Sequence, residues 1–284
     1  MKTLFVSDLD GTLLGSDRKV SAESVRLINE AIAEGAMFSV ATARTPATVG
    51  PLLDGIRSPL PFIVMTGAAI WEREHNRYVY ASFHREDTAR RLVKLYRRHA
   101  LSTFVYILGE DNVIHIYHIG DMSCLEREFM EERLYTPYKD FHILDKEKGG
   151  LPESLDRVLL FYSMRPTEEV RRVYDDIKDS EDLRAVFYHD MYGEEIALME
   201  VFGPDASKAN AVRRLADMVG AEKIVAYGDN VNDIPILEIA NDAVVVENAV
   251  EAARLAAGRV IGPNIEDSVA KDIKSQTKML KNLE

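Results

Sequence analysis

The sequence predicts an α/β protein: a parallel sheet covered by helices on both faces, interrupted by a separate α+β module. Three observations carry this. Over residues 1–82 short apolar segments alternate with helical ones, and the same alternation resumes from about residue 195. Between them, residues 84–194 read as paired strands with helices among them. Short, continuously apolar strands alternating with helices belong to parallel sheets buried on both sides, whereas strand pairs joined by tight turns belong to antiparallel ones. The expected division is therefore 1–83 with 195–284 for the first domain and 84–194 for the inserted one.

The elements follow in order. "LFVSDL" (4–9) is a strand, and "SAESVRLINEAIAEGA" (21–36) is a helix capped by Ser21 and ended by Gly35. "MFSVATAR" (37–44) is a second strand, Thr45-Pro46 opens a helix, and "PFIVMTG" (61–67) is a third strand. "WEREHNRYVY" (71–80) reads as a hairpin with Trp71 packed rather than stacked on a ligand. In the insert, "HREDTARRLVKLYRRHA" (84–100) is a basic helix, and "STFVYILGEDNVIHIYHIG" (102–120) is a hairpin pivoting on residues 109–112. A helix (122–134), the turn-rich 145–156, a strand (157–164), a helix (166–179) and the strands 183–189 and 196–202 complete it. The first pattern then returns with a helix from Ser207, the strand "KIVAYGDN", a helix at 233–240, the strand "DAVVVEN" and a helix at 250–257.

Composition excludes several classes. Of the 284 residues 46% are hydrophobic and 29% charged, as in a soluble globular protein. No apolar run reaches the roughly 18 to 20 residues of a membrane span, and the acidic "SDLDG" interrupts any signal-like start. Cys124 is the single cysteine, so a disulfide framework and a thiolate metal cluster are both excluded, and it is expected to be a half-buried thiol. A cytoplasmic protein is expected. The net charge of -12 argues against nucleic acid or an anionic membrane as partner. It also requires that any phosphate site carry its own local cation.

Four stations could carry chemistry. Asp8 and Asp10 follow an apolar strand, and two carboxylates beyond such a strand end could hold a hard cation such as Mg²⁺, which also relieves their mutual repulsion. "VAYGDNVND" places Asp229, Asn232 and Asp233 at a second strand end; an N-cap explains one such residue but not three in five. Asp229 is the expected further ligand. Thr42 is the first hydroxyl after the apolar residues of the second strand, a position a β-branched residue also fills for purely structural reasons. Lys208, near a helix start, is explained equally by an anion partner and by solvent.

In that order, "DLDGT", "VATAR", "SK" and "GDNVND" resemble the haloacid dehalogenase superfamily of phosphohydrolases, and the inserted module resembles the large α/β cap of Cof-type sugar-phosphate phosphatases. The resemblance implies a Rossmann-like core and a Mg²⁺-dependent phosphomonoesterase acting on small phosphorylated metabolites, sugar phosphates first, through an aspartyl-phosphate. Asp8 would be the nucleophile and Asp10 the proton carrier, with Thr42 and Lys208 completing the catalytic set. Leu9, Gly11, Thr42, Ala43, Arg44, Lys208 and Asn232 would surround the phosphate. Asp8, the Asp10 carbonyl and Asp229 would bind the metal, with Asn232 and Asp233 in support. Arg44 would alternatively form a surface ion pair. The chain departs from the family pattern at Thr66, Ala209 and Glu247, where asparagine, glycine and glycine are usual. Residues 187–195 are where substrate contacts from the cap are expected, and its scattered histidines read as surface or core residues. A phosphomutase and a non-catalytic phospho-ligand sensor are the alternatives, and a monomer or weak homodimer is expected.

Overall fold

The computed structural model describes residues 2–142, 150–190 and 193–282. In chain order it has β1 (Thr3–Ser7), α1 (Ala22–Ala33), β2 (Met37–Val40), α2 (Pro46–Leu52), β3 (Phe62–Val64), β4 (Ala69–Glu72) and β5 (Arg77–Ala81). Next come α3 (Glu86–Arg98), β6 (Thr103–Leu108), β7 (Ile114–Ile119), α4 (Cys124–Glu131), β8 (Lys139–His142), β9 (Val158–Pro166), α5 (Thr167–Ile177), β10 (Arg184–Asp190) and β11 (Gly193–Phe202). The chain closes with α6 (Lys208–Val219), β12 (Lys223–Gly228), α7 (Ile234–Ile239), β13 (Asp242–Val246), α8 (Glu251–Ala256), β14 (Arg259–Ile261) and α9 (Ser268–Lys281). Two compact units result, residues 1–80 with 207–284, and residues 81–206. The division differs from the expected 83/84 and 194/195. The second break falls after Ala206 because β11 runs unbroken from Gly193 to Phe202, so the chain does not return between domains at residue 195.

The first unit is built on a five-stranded parallel sheet in the order β14-β13-β12-β1-β2. Central β1 is wholly buried, as its apolar run requires. Leu4 and Val6 enter a cluster with Val212 and Leu215 of α6 and Ile236 and Leu237 of α7. By strand alternation Phe5 points the other way, the side taken by the mutually packed α1 and α9. Ser21 caps α1 by accepting from the Ser24 N–H at 2.9 Å.

The third expected strand is not a full member of this sheet. β3 pairs antiparallel with β4 in a separate three-stranded sheet, β3-β4-β5, and touches the parallel sheet through one bridge, Ala41 to Ile63. Its three residues are too few to pair along both edges once the chain turns at Met65. Trp71 on β4 is buried, its indole N–H donating to Asn76 at 2.8 Å.

The second unit is a six-stranded sheet ordered β10-β11-β9-β6-β7-β8, antiparallel except for β7 with β8. One face packs Val105, Phe161, Met199 and Val201 against α3 and α5. On the other, α4 lays Phe129 against Phe104 and Tyr162, ring centroids 5.3 and 5.4 Å away. Cys124, at the start of α4, is exposed and not half-buried, because that helix turns Glu126 and Met130 inward instead. The expected turns at 145–156 and contacts at 187–195 lie partly outside the described residues.

Candidate active site

β1 stops at Ser7, so Asp8 and Asp10 do not stand side by side on one strand. Asp8 leaves the strand with extended backbone, and the chain then folds into a tight turn over residues 9–13 in which Gly11 takes φ +78°. The turn separates the two carboxylates. Asp8 stays buried beneath the turn, while the Asp10 side chain, 53% exposed, swings out to Arg44. Arg44 grips it with two parallel hydrogen bonds, from Nε at 2.7 Å and from Nη2 at 2.6 Å, a fork-to-carboxylate fit. Of the two expectations for Arg44, the structure presents the ion pair.

Asp8 is held from three elements. Its N–H donates to the Tyr227 carbonyl of β12 at 2.9 Å, its carbonyl accepts from Ser7 Oγ at 2.7 Å, and its Oδ1 accepts from Lys208 Nζ at 2.6 Å. Lys208, the first residue of α6, is not in solvent: it is fully buried, and its Nζ also donates to Asp233 Oδ1 at 2.7 Å. Asp233 is itself buried, its Oδ2 accepting from the N–H groups of Asp229 and Asn230, 3.1 Å each. Gly228 makes that possible, since a Cβ there would lie 2.5 Å from that of Asp233.

Carboxylate oxygens of Asp8, Asp229 and Asp233 all lie within 4.8 Å of one another. One ammonium therefore faces three carboxylates. Burial pushes the Asp8 carboxyl up to about 7; Lys208 pulls it down, but Asp233 and Asp229 add repulsion. Asp229 is raised too, by burial first, with a hydrogen bond from Thr12 opposing. Burial by itself would lower Lys208, yet Asp8 and Asp233 outweigh it and hold the ammonium above its ordinary range. A group of hard oxygen donors with surplus negative charge, raised toward protonation, suits a cation such as Mg²⁺. Both Asp233 oxygens are already satisfied. Oδ2 of Asp8 and Oδ2 of Asp229 have no hydrogen-bond partner among the described residues, so these two side chains have oxygens to offer.

Two contributors escaped the sequence reading. Thr12 Oγ1 donates to Asp229 Oδ1 at 2.6 Å, tying the turn after β1 to the end of β12. Asn248 Nδ2 donates to the Gly11 carbonyl at 2.8 Å from the loop after β13. Thr12 carried a signal, as a hydroxyl directly behind the acid pair. Asn248 carried none, because its partner is a backbone group 237 residues away.

The remaining predicted residues divide by position. Thr42 is buried, its Oγ1 accepting from the Arg44 N–H at 3.2 Å, and its carbonyl accepting from the Thr66 N–H at 2.9 Å. Thr66 stands in the left-handed region (φ +55°), flanked by Met65 (φ +50°) and Gly67 (φ +86°). At Gly67 a Cβ would come within 2.2 Å of the Ser207 carbonyl, so that turn packs directly on the start of α6 beside Lys208. Leu9 and Ala209 are buried, whereas Ala43, Asn232 and Glu247 are exposed and stand outside the hydrogen-bonded acid cluster.

The sequence pattern of the haloacid dehalogenase-like hydrolases matches residues 5–273. YitU, a 5-amino-6-(5-phospho-D-ribitylamino)uracil phosphatase of Bacillus subtilis, is 23% identical over 280 residues, covering 95% of this chain and 96% of that protein. The pyridoxal phosphate phosphatase YbhA of Escherichia coli is 23% identical over 278 residues, covering 94% and 96%. A haloacid dehalogenase-like hydrolase from Bacteroides thetaiotaomicron superposes with a TM-score of 0.76 at 19% identity over 97% of this chain and 100% of that one. The subclass IIB sugar phosphatase BT4131 does so with a TM-score of 0.68 at 19% identity, covering 97% and 99%. These likenesses extend over both units of the fold.

Proposed function

The chain belongs to the haloacid dehalogenase-like hydrolases, and from that premise we propose that it is a Mg²⁺-dependent phosphatase of small phosphorylated metabolites, sugar phosphates first among them. The observation that carries the reading is the buried contact of Asp8 with Lys208 inside the Asp8, Asp229 and Asp233 group.

In this reading one carboxylate oxygen of Asp8 attacks phosphorus and the other is left for the cation; an aspartyl-phosphate forms as the ester P–O bond breaks. Lys208 holds Asp8 in line and, with Thr42, meets the phosphoryl oxygens. Asp10 protonates the departing alkoxide, then takes a proton from the water that cleaves the acyl-phosphate. To do so it exchanges its Arg44 pair for the leaving group, a movement open to a half-exposed side chain. Asp8 and Asp229 would hold Mg²⁺, with Asp233 orienting Lys208; the ion, when bound, supplies positive charge to the transferring group.

The phosphatases among the relatives act on a phosphorylated ribitylamino-uracil and on pyridoxal phosphate, which supports a small-metabolite substrate. Among the described residues no helix is long and apolar enough to cross a membrane. We place the enzyme in the cytoplasm as a monomer or weak homodimer. The presence of both Asp8 and Asp10 weighs against a non-catalytic sensor.

The test is phosphate release from a panel of sugar phosphates in Mg²⁺ by wild type and by Asp8→Asn. Loss of about a thousandfold or more in the variant is expected for removal of a covalent nucleophile. Wild-type turnover that survives the substitution would overturn the aspartyl-phosphate route, and release of an isomerised sugar phosphate in place of inorganic phosphate would identify a mutase.

A further inference from the structure

The histidines of the second unit are scattered along the sequence, yet strand register brings two of them into contact. β7 and β8 run parallel at one edge of the six-stranded sheet, with His115 opposite Asp140 and Tyr117 opposite His142. Residues two apart on a strand face the same way, so His115, Tyr117 and His142 share one face. There His115 Nδ1 lies 2.9 Å from His142 Nε2. The His142 ring also stacks on Tyr117, with centroids 4.8 Å apart and planes 15° apart.

The other nitrogen of His115 is engaged by a carboxylate. His115 Nε2 lies 3.3 Å from Asp111 Oδ1, and the same oxygen accepts from the Val113 N–H at 3.0 Å, which fixes the carboxylate against the ring. Residue 109 has to be glycine for this pair to fit. A Cβ there would lie 2.2 Å from Asp111 Oδ1 and 2.7 Å from His115 Nε2. An ionised carboxylate can only accept, so its partner Nε2 carries the proton and Nδ1 of a neutral His115 is left with a lone pair. That lone pair is the one facing His142.

A carboxylate on one imidazole nitrogen, with the other nitrogen free, is how metal-ligating histidines are held; it fixes the tautomer and raises the basicity of the free nitrogen. Bonds of about 2.0–2.1 Å from metal to imidazole put two ligating nitrogens about 2.9 Å apart at a right angle and about 3.3 Å apart at the tetrahedral angle. The observed separation of 2.9 Å fits the right angle, the geometry of tetragonal Cu²⁺ and Ni²⁺ sites. Mg²⁺, which prefers oxygen, gains little from two imidazoles. His115 is partly buried and fixed by Asp111, whereas His142 is exposed, so its ring can turn toward a shared ion and water can fill the remaining positions.

We propose that His115 Nδ1 and His142 Nε2 form a binding site for a nitrogen-preferring divalent cation, Cu²⁺ or Ni²⁺ before Zn²⁺, with Asp111 as the positioning residue behind His115. To ligate, a neutral His142 moves its proton from Nε2 to Nδ1. The bound ion clips the edge strand β8 to β7. All three residues belong to the second unit, and the proposal does not depend on the phosphatase reading.

The test is calorimetric titration of the whole protein with Ni²⁺, which does not oxidise the exposed Cys124, in millimolar Mg²⁺ to occupy oxygen sites. Asp111→Asn should weaken Ni²⁺ binding about tenfold to a hundredfold, the usual cost of losing the partner behind a ligating histidine. His115→Ala and His142→Ala should each weaken it further. Ni²⁺ should also raise the thermal midpoint of wild type and leave those of the two histidine variants unchanged. Equal affinity in wild type and both histidine variants overturns the site, as does an absence of Ni²⁺ binding to wild type. If a variant melts below wild type in chelator, the ring NMR signals of wild type decide. Paramagnetic broadening of His115 and His142 at the first additions of Ni²⁺ upholds the site, and broadening of other histidines before them overturns it.

Discussion

The Lys208 ammonium lies 2.6 Å from the Asp8 carboxylate with both side chains nearly sealed from water, 1% and 9% exposed. Residues 200 positions apart meet because α6 begins where β1 ends. In the proposed reading Lys208 would be the local cation of a phosphate site, and its ammonium is shared with Asp233. Its environment makes the cluster dependent on charge balance, and the first predictions follow from that dependence.

Lys208→Met removes the single ammonium and leaves Asp8 and Asp233 buried without it. Breaking a buried pair from one side costs about 3–5 kcal/mol. The variant should unfold at lower temperature in chelator, regain part of the difference in millimolar Mg²⁺, and release no phosphate. Equal thermal midpoints for variant and wild type in chelator would show that Lys208 does not balance the cluster.

Gly11→Ala tests the turn after β1. Its φ of +78° is strained for any side chain, and a Cβ would sit 2.5 Å from Asp229 Oδ2. We expect a stability loss of about 1–3 kcal/mol, the range for a side chain forced into a left-handed position. Because Asp229 must move, Mg²⁺ affinity should fall at least about tenfold, about 1.4 kcal/mol, read by calorimetric titration. Wild-type affinity in the variant would remove Asp229 from the ligand set.

How much of this was legible depends on distance along the chain. The parallel core could be read because each strand carries its own apolar run, and Asp8, Asp229 and Lys208 because each follows or opens an element. The burial of Lys208 could not: a lysine at a helix start reads identically in water and in a core until its partners are placed. Thr12 and Asn248 were missed for a similar reason, since each acts on a group more than 200 residues away. β3 reads as a full member of the parallel sheet, yet beyond its one parallel bridge at Ile63 it pairs with β4, because three apolar residues, Phe62–Val64, satisfy either pairing. α9 went unread: its buried Val269, Ala270 and Ile273 are diluted by four lysines and polar neighbours over Ser268–Lys281.

Mg²⁺ binding should be proton-linked. With no cation bound, burial and like charges hold the Asp8 carboxyl at about 7. An acid raised in this way is increasingly protonated as pH falls below 7, and a cation must displace that proton. Apparent affinity should therefore climb with pH, by up to about tenfold per unit below 7, and flatten above it. Calorimetric titrations between about pH 5.5 and 8, repeated in buffers of different ionisation enthalpy, read both the affinity and the protons released. A flat affinity with no proton release would mean that Asp8 is ionised in the cation-free protein.

His84 should set the acid limb of stability in the second unit. It is 2% exposed, its neutral Nε2–H donates to the Val201 carbonyl at 3.0 Å, and its ring stands edge-on to Phe161 at 5.4 Å. Burial lowers its pKa from 6.5 to about 4, since charging the ring would put an unpaired cation among apolar groups. Between those values the unfolded chain binds a proton that the native one refuses. The contribution is thus complete above about 6.5, is lost as pH falls toward 4, and is constant below, amounting to on the order of 3 kcal/mol in all. His84→Gln keeps a donor for Val201 without a titrating group. Denaturant unfolding of wild type and variant across this range should give curves whose difference narrows steadily as pH falls from 6.5 to 4. Parallel curves would assign the acid sensitivity elsewhere, and a difference that widened would mean that His84 is protonated in the native state.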